Sequence, residues 1–162
     1  MNFHSIWGNP FKKENYGIEN DLDFLTQIPI FDNLKKKDIT KFFTLIHIRN
    51  YSDGEIVFRQ DDPGVGLYIV RSGQFDVYKE FDDLTRKKIA VLKEGEFFGE
   101  ISLLNESKRS ATVVSFGESV LFGLFKPDLL GLMESDPRLG LSIVYRLAQV
   151  VAERLRLVNE EK

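Results

Sequence analysis

Apolar residues recur in three rhythms along this chain, and each predicts a different kind of element. From Asp21 to Ile46, Leu22, Leu25 and Ile28, then Leu34, Ile39, Phe42, Phe43 and Ile46, return at helical steps, with Pro29 between the two groups. That spacing places each group on one helix face and predicts two short helices. From Tyr51 to Phe125 the pattern shortens to β-branched and aromatic runs: EIVFR, LYIVR, QFDVYKE, KKIAVLK, SATVVSF and SVLFGLF. Turn residues punctuate them at Ser52-Asp53-Gly54, Asp61 to Gly66, Ser72-Gly73, Glu94-Gly95 and Gly117-Glu118. Such regular punctuation predicts an antiparallel barrel or sandwich. Ser72-Gly73 is a candidate tight hairpin, because Gly supplies the positive φ of a primed turn.

After Lys126-Pro127 the helical rhythm returns. A short segment reaches about Ser135, and a long helix follows with Asp136 as its cap and Pro137 in its first turn. Leu139, Ile143, Leu147, Val150, Val151, Leu155 and Val158 make a stripe on that helix, with Arg138, Arg146, Glu153, Arg154 and Arg156 at polar positions. The stripe fits a helix docked on its own barrel or one that joins two subunits. Met1 to Asn20 carries isolated aromatics (Phe3, Trp7, Phe11, Tyr16) without a sustained period and reads as an arm ahead of one domain over 21–162. A chain of 162 residues supports a single core.

Composition narrows the chemistry. Lys and Arg number 22 against 25 Asp and Glu, which gives no basic bias toward nucleic acid, so no direct DNA binding is expected. With no cysteine, and with His4 in the arm and His47 just ahead of the strands, neither a disulfide framework nor a metal-bearing jelly-roll enzyme of the cupin sort is expected. No apolar run approaches the roughly 20 residues of a membrane span and the N-terminus lacks a signal-peptide pattern, so the expected location is cytoplasmic. Lys35-Lys36-Lys37 reads as a solvated helix face.

The candidate chemistry lies in Phe97 to Thr112, FFGEISLLNESKRSAT. A Gly-Glu turn and a short apolar helix precede Arg109, and these are devices that hold a phosphodiester: a Gly that admits close backbone approach, amides at a helix start, and a guanidinium fork. Phe98-Gly99-Glu100-Ile101-Ser102-Leu103-Leu104 followed by Arg109-Ser110-Ala111-Thr112 resembles the phosphate-binding cassette of the cyclic-nucleotide-binding domain family. The resemblance runs from about Asp21 to Val158; Gly54, Gly64 and Gly73 match the family's turn glycines, and Asp61 stands where the family usually has glycine.

That resemblance implies a mainly β fold, an antiparallel jelly roll over about 51–125 with N-terminal helices and C-terminal helices over about 126–160. It implies a non-catalytic sensor without a cofactor, whose ligand is a cyclic nucleotide, cyclic AMP ahead of cyclic GMP, and it offers a homodimer through the last helix and a separate effector protein as partners. Arg109 would hold the phosphate with Gly99, Ile101, Ser102, Ser110 and Ala111, and Glu100 would accept from the ribose 2′-hydroxyl. Ser102 and Thr112 are open between ligand contact and an ordinary local hydroxyl role. Ile101, Leu103 and Leu104 are expected in the core, and Phe58, Tyr68, Ile69, Phe75, Val77, Val91 and Val113 as barrel filling. The competing expectation is a family member that keeps the barrel as an interaction module and binds no nucleotide.

Overall fold

Pro29 and Pro137 both sit where a missing N–H costs nothing, at the start of a turn or helix. A computed structural model of the protein describes residues 17–82 and 84–160. The arm therefore lies outside the described residues except for its last four, and there the first helix, α1 (Ile18–Thr26), has already begun. A 3-10 turn (Pro29–Phe31) and α2 (Lys36–Phe43) complete the N-terminal helices, with Lys35, Lys36 and Lys37 exposed as expected.

Six antiparallel strands follow: β1 (His47–Tyr51), β2 (Ile56–Phe58), β3 (Gly66–Glu80), β4 (Arg86–Lys93), β5 (Phe97–Phe98) and β6 (Thr112–Phe125). Their order is β1-β6-β3-β4, with β2 also on β6 and β5 on β3. A four-residue helix, α3 (Ile101–Leu104), lies between β5 and β6, and α4 (Lys126–Ser135) and α5 (Pro137–Glu160) close the chain. This is an antiparallel jelly roll flanked by helices.

Three strand expectations are corrected. Ser72-Gly73 is no hairpin: β3 runs through it and pairs with β6 on both sides, from Gly66 opposite Phe125 to Tyr78 opposite Thr112, with its register slipping around Ser72. Gly73 sits at φ +82, and a Cβ there would come within 2.2 Å of the Ser119 hydroxyl, so the Gly makes a bulge that bends a continuous strand. Gly117 does the same for β6, so SATVVSF and SVLFGLF also belong to one strand. The sheet also begins earlier than Tyr51, at His47, whose ring nitrogen lies 2.9 Å from Asp128 of α4.

The buried side chains form two groups. Tyr51, Val70, Phe75, Phe98, Val113 and Leu121 fill the roll, while a larger group joins α1, α2, α4 and α5 to one end of it through residues such as Phe31, Phe42, Phe122, Leu129 and Leu139. Leu103 of α3 belongs to that second group. Ile101 and Leu104, expected in the core, are exposed, as is Val91 of β4. On this one-turn helix Ser102 and Leu103 take the buried side, which leaves Ile101 and Leu104 outside.

The Asp136 carboxylate caps α5 by accepting from the Leu139 amide at 3.1 Å, as its position in the sequence predicted. Ion pairs bind α5 to the N-terminal helices: Arg138 to Asp38 at 2.7 Å and Lys41 to Asp136 at 3.0 Å. Leu139, Ile143 and Leu147 are buried and Val150 and Val151 half-buried, but Leu155 and Val158 of the expected stripe are exposed. The docked face ends where α5 passes the cassette.

Candidate functional site

Arg109 is 4% exposed, unusual for a guanidinium. Its Nη2 donates to the Gly66 carbonyl at 2.9 Å, and its Nη1 donates at 3.3 Å to both the Gly99 carbonyl and the Ser102 hydroxyl. The guanidinium carbon lies 4.1 Å from the centre of the Phe58 ring and 5.6 Å from that of Tyr68. Among the described residues, no carboxylate oxygen comes within 4.0 Å of it, and its Nε is buried without a hydrogen-bond partner. Burial pulls the group below its ordinary pKa, while Tyr68, Glu100 and Asp62 act in the opposite direction. A buried cation answered by neutral carbonyls and ring faces is left to be neutralised by something else.

Gly99 makes that burial possible. Its φ is +77, and a Cβ on it would lie 2.5 Å from Arg109 Nη1 and 2.9 Å from the Gly66 carbonyl. The Gly lets the turn after β5 close against the guanidinium. The backbone of Arg109 is held as firmly: its N–H donates to the Asp62 carbonyl at 2.8 Å and its C=O accepts from Asp61 at 2.9 Å. Asp61 takes φ 69, a conformation that Asp tolerates better than most residues and that matches its place at a family glycine.

These residues wall a cavity of about 390 Å³. Gly99, Glu100, Ile101, Ser102, Arg109, Ser110 and Ala111 line it together with Phe58, Val77, Leu92, Phe98 and Val113. One wall is thus polar and cationic and the other apolar, the division expected of a pocket that holds a charged group and an aromatic body. A larger cavity of about 810 Å³ lies beyond Ser102, lined by Pro63, Val65, Phe125 and Pro127 among others, but Arg109 does not face it. Chemistry, and not size, assigns the site to the smaller one.

Seven of the eight candidate residues are brought together; Thr112 is not. It is 1% exposed, and its hydroxyl is spent on the Glu80 carboxylate at 2.6 Å and the Gln60 amide at 2.8 Å. The Ser102 hydroxyl accepts from Arg109 Nη1 at 3.3 Å, and Ser102 lines the cavity. Phe58, Val77 and Val113, expected as filling, pack with the core of the roll and also line the cavity. Alternation along a strand gives these residues an inward direction but does not say whether the inside is solid.

Arg154 is a side chain against the cassette that the sequence pattern did not single out. It sits on α5 seven residues beyond the buried Leu147, so it faces inward, and its Nη1 lies 3.3 Å from Glu100 Oε1. Its Nη2 donates to the Phe97 carbonyl at 3.2 Å, and its guanidinium packs 3.9 Å from the Phe97 ring centre. The Glu100 side chain is 14% exposed and that of Arg154 42%, so the contact is shielded on the Glu100 side only. The signal available in the sequence was its position, seven residues beyond Leu147 of the apolar stripe.

Comparison with known proteins agrees with this geometry. Residues 48–136 match the family model described as the cyclic nucleotide-binding domain. The chain is 35% identical over 133 residues to a cyclic AMP receptor protein of Thermus thermophilus, an alignment covering 82% of this chain and 60% of that protein. It is 32% identical over 137 residues to a cGMP-dependent protein kinase of Caenorhabditis elegans, covering 82% of this chain and 17% of the kinase. Among solved structures, the Thermus thermophilus catabolite activator protein superposes with a TM-score of 0.73 at 33% identity, over 82% of this chain and 61% of that one. The chain thus spans less than two thirds of the length of these relatives. With a matched domain covering more than half of its residues, this chain belongs to the cyclic nucleotide-binding domain family.

Proposed function

We propose that the protein is a non-catalytic cyclic AMP sensor. The observation that carries this reading is Arg109: a buried guanidinium that, among the described residues, has an unpartnered Nε and no carboxylate oxygen within 4.0 Å, on the wall of a cavity also lined by apolar side chains. A cyclic phosphodiester brings the missing negative charge, and its purine fits against Phe58, Val77, Leu92 and Val113. Gly99, Ile101, Ser102, Ser110 and Ala111 complete the phosphate cradle, and Glu100 accepts from the ribose 2′-hydroxyl. A carboxylate has lone pairs enough to receive both that hydroxyl and Arg154. The choice of adenine over guanine rests on the likeness to the Thermus thermophilus cyclic AMP receptor protein.

Binding becomes a signal through α3 and α5. Leu103 ties α3 into the core that α4 and α5 share, and Arg154 ties α5 to Glu100. A ligand that touches Glu100 favours whichever arrangement of α5 it binds more tightly, by its differential affinity alone. The output is carried by a second copy of the chain or a separate effector. Leu141, Tyr145, Ala148, Ala152 and Leu155 are all exposed on α5 and follow one another at steps of four and three residues, the spacing of a coiled-coil seam. This seam is distinct from the docked face, and it supports a parallel homodimer.

Calorimetric titration with cyclic AMP and cyclic GMP tests the reading. The expected result is saturable binding of both with cyclic AMP the tighter; the absence of heat with either would favour the interaction-module alternative.

A further inference from the structure

The segment that carries Arg109, just ahead of β6, is bonded along one side in an interrupted way. Pro63 bridges to Lys108, both backbone groups of Arg109 bond to Asp61 and Asp62, and the Gln60 amide reaches the Thr112 hydroxyl. The Ser110 carbonyl falls between these attachments. It accepts instead from Lys79 Nζ at 2.7 Å, across from the end of β3. The next residue, Glu80, receives the Thr112 hydroxyl at 2.6 Å and is itself pinned to Gln60, whose side chain accepts from the Glu80 amide and donates to the Glu80 carbonyl, both at 3.0 Å.

We infer that Lys79 is a positioning residue for the anion site: by holding the Ser110 carbonyl on the outer side, it fixes the peptide that presents Ser110 and Ala111 to the cavity before any ligand arrives. The peptide plane is rigid, so a carbonyl anchored outward sends the Ala111 N–H the opposite way. Lys79 does not line the cavity, so its action passes through the backbone. With Glu80 it makes the last two residues of β3 a clamp on the segment 109–112. Preorganising those amides removes an ordering cost from binding.

This inference rests on the cyclic-nucleotide reading for its ligand, but the clamp itself can be tested without one. Hydrogen exchange of the ligand-free protein would be compared in the wild type, Lys79→Met and Lys79→Arg, followed by titration with cyclic AMP and its two phosphorothioate diastereomers, in which one or the other exocyclic oxygen is sulfur. Lys79→Met is expected to speed exchange across 109–112, weaken cyclic AMP by roughly tenfold, and narrow the preference between the diastereomers. Lys79→Arg, which keeps a charged donor, should restore all three. Unchanged exchange in Lys79→Met overturns the clamp; so does an affinity loss that leaves the diastereomer preference intact, since that would be bulk charge acting at a distance. A wild type that binds no nucleotide refutes the ligand reading, and the exchange comparison then decides the clamp alone.

Discussion

Arg154 and Glu100 are 54 positions apart in sequence, yet their side chains meet at 3.3 Å, so an ion pair joins the last helix to the Gly-Glu turn of the cassette. The Phe97 carbonyl and ring hold the same guanidinium from the other side. Since the Arg154 side chain is 42% exposed, the pair contributes little to global stability, on the order of 1 kcal/mol or less. Its consequence is coupling. Arg154→Ala is expected to keep the melting point within a few degrees and still bind nucleotide, while ligand-induced protection of residues 150–160 in hydrogen exchange is lost. Protection equal to that of the wild type would remove Arg154 from the signal path.

Gly99 has a double constraint, a positive φ and a guanidinium at Cβ distance. Gly99→Ala therefore strains the backbone and pushes Arg109 out of its seat. A loss of roughly 1–3 kcal/mol is expected in urea unfolding, together with loss of nucleotide binding. A variant as stable as the wild type would mean that the turn moves freely.

Much of this architecture was legible because period and punctuation report local structure well. The helices, most strands and the Asp136 cap follow from spacing, and the cluster of Gly99, Glu100, Ser102 and Arg109 was legible through the resemblance to the family's cassette. The bent strands did not, because Gly73 and Gly117 carry the same positive φ in a bulge as in a hairpin turn, and only pairing across the sheet distinguishes the two. The apolar wall was likewise hidden, since Phe58 and Val77 look the same in sequence whether they fill a roll or line a hollow in it. Thr112 was misplaced because its partners, Glu80 and Gln60, are distant along the chain.

Acid should loosen the helical end before the roll. Asp38 is held below its ordinary pKa of 3.8 first by its hydrogen bond from Arg138, and Asp136 by its bond from Lys41 and then by the Leu139 amide. A carboxyl depressed in the folded state stabilises it above the unfolded pKa, and that stability is lost as pH falls through the lower folded value. Stability should therefore drop as pH is taken from 5 to below about 3.8, and Asp38→Asn should flatten that drop while lowering stability at pH 7. An equal slope in the variant would show that other carboxylates control acid unfolding.

The exposed seam on α5 makes a separate claim. Leu141 and Leu155 are 65% and 61% exposed in the single chain, so charging them should cost the fold little. Sedimentation is expected to give a dimer for the wild type and a monomer of similar melting point for Leu141→Glu with Leu155→Glu. A monomeric wild type would send the output to a separate effector.

The central claim is that Arg109 waits for a cyclic phosphodiester, and thermal unfolding of the wild type and Arg109→Ala with cyclic AMP, cyclic GMP, 5′-AMP or no ligand tests it most directly. Ligand at 100 times its dissociation constant adds about 2.7 kcal/mol, a rise of roughly 5–10 °C for a chain of this size. The expected result is a rise with cyclic AMP, a smaller one with cyclic GMP, none with 5′-AMP, and none with any of them in a folded Arg109→Ala. A wild type whose midpoint moves with no cyclic nucleotide, or an Arg109→Ala variant that responds as the wild type does, would contradict the account.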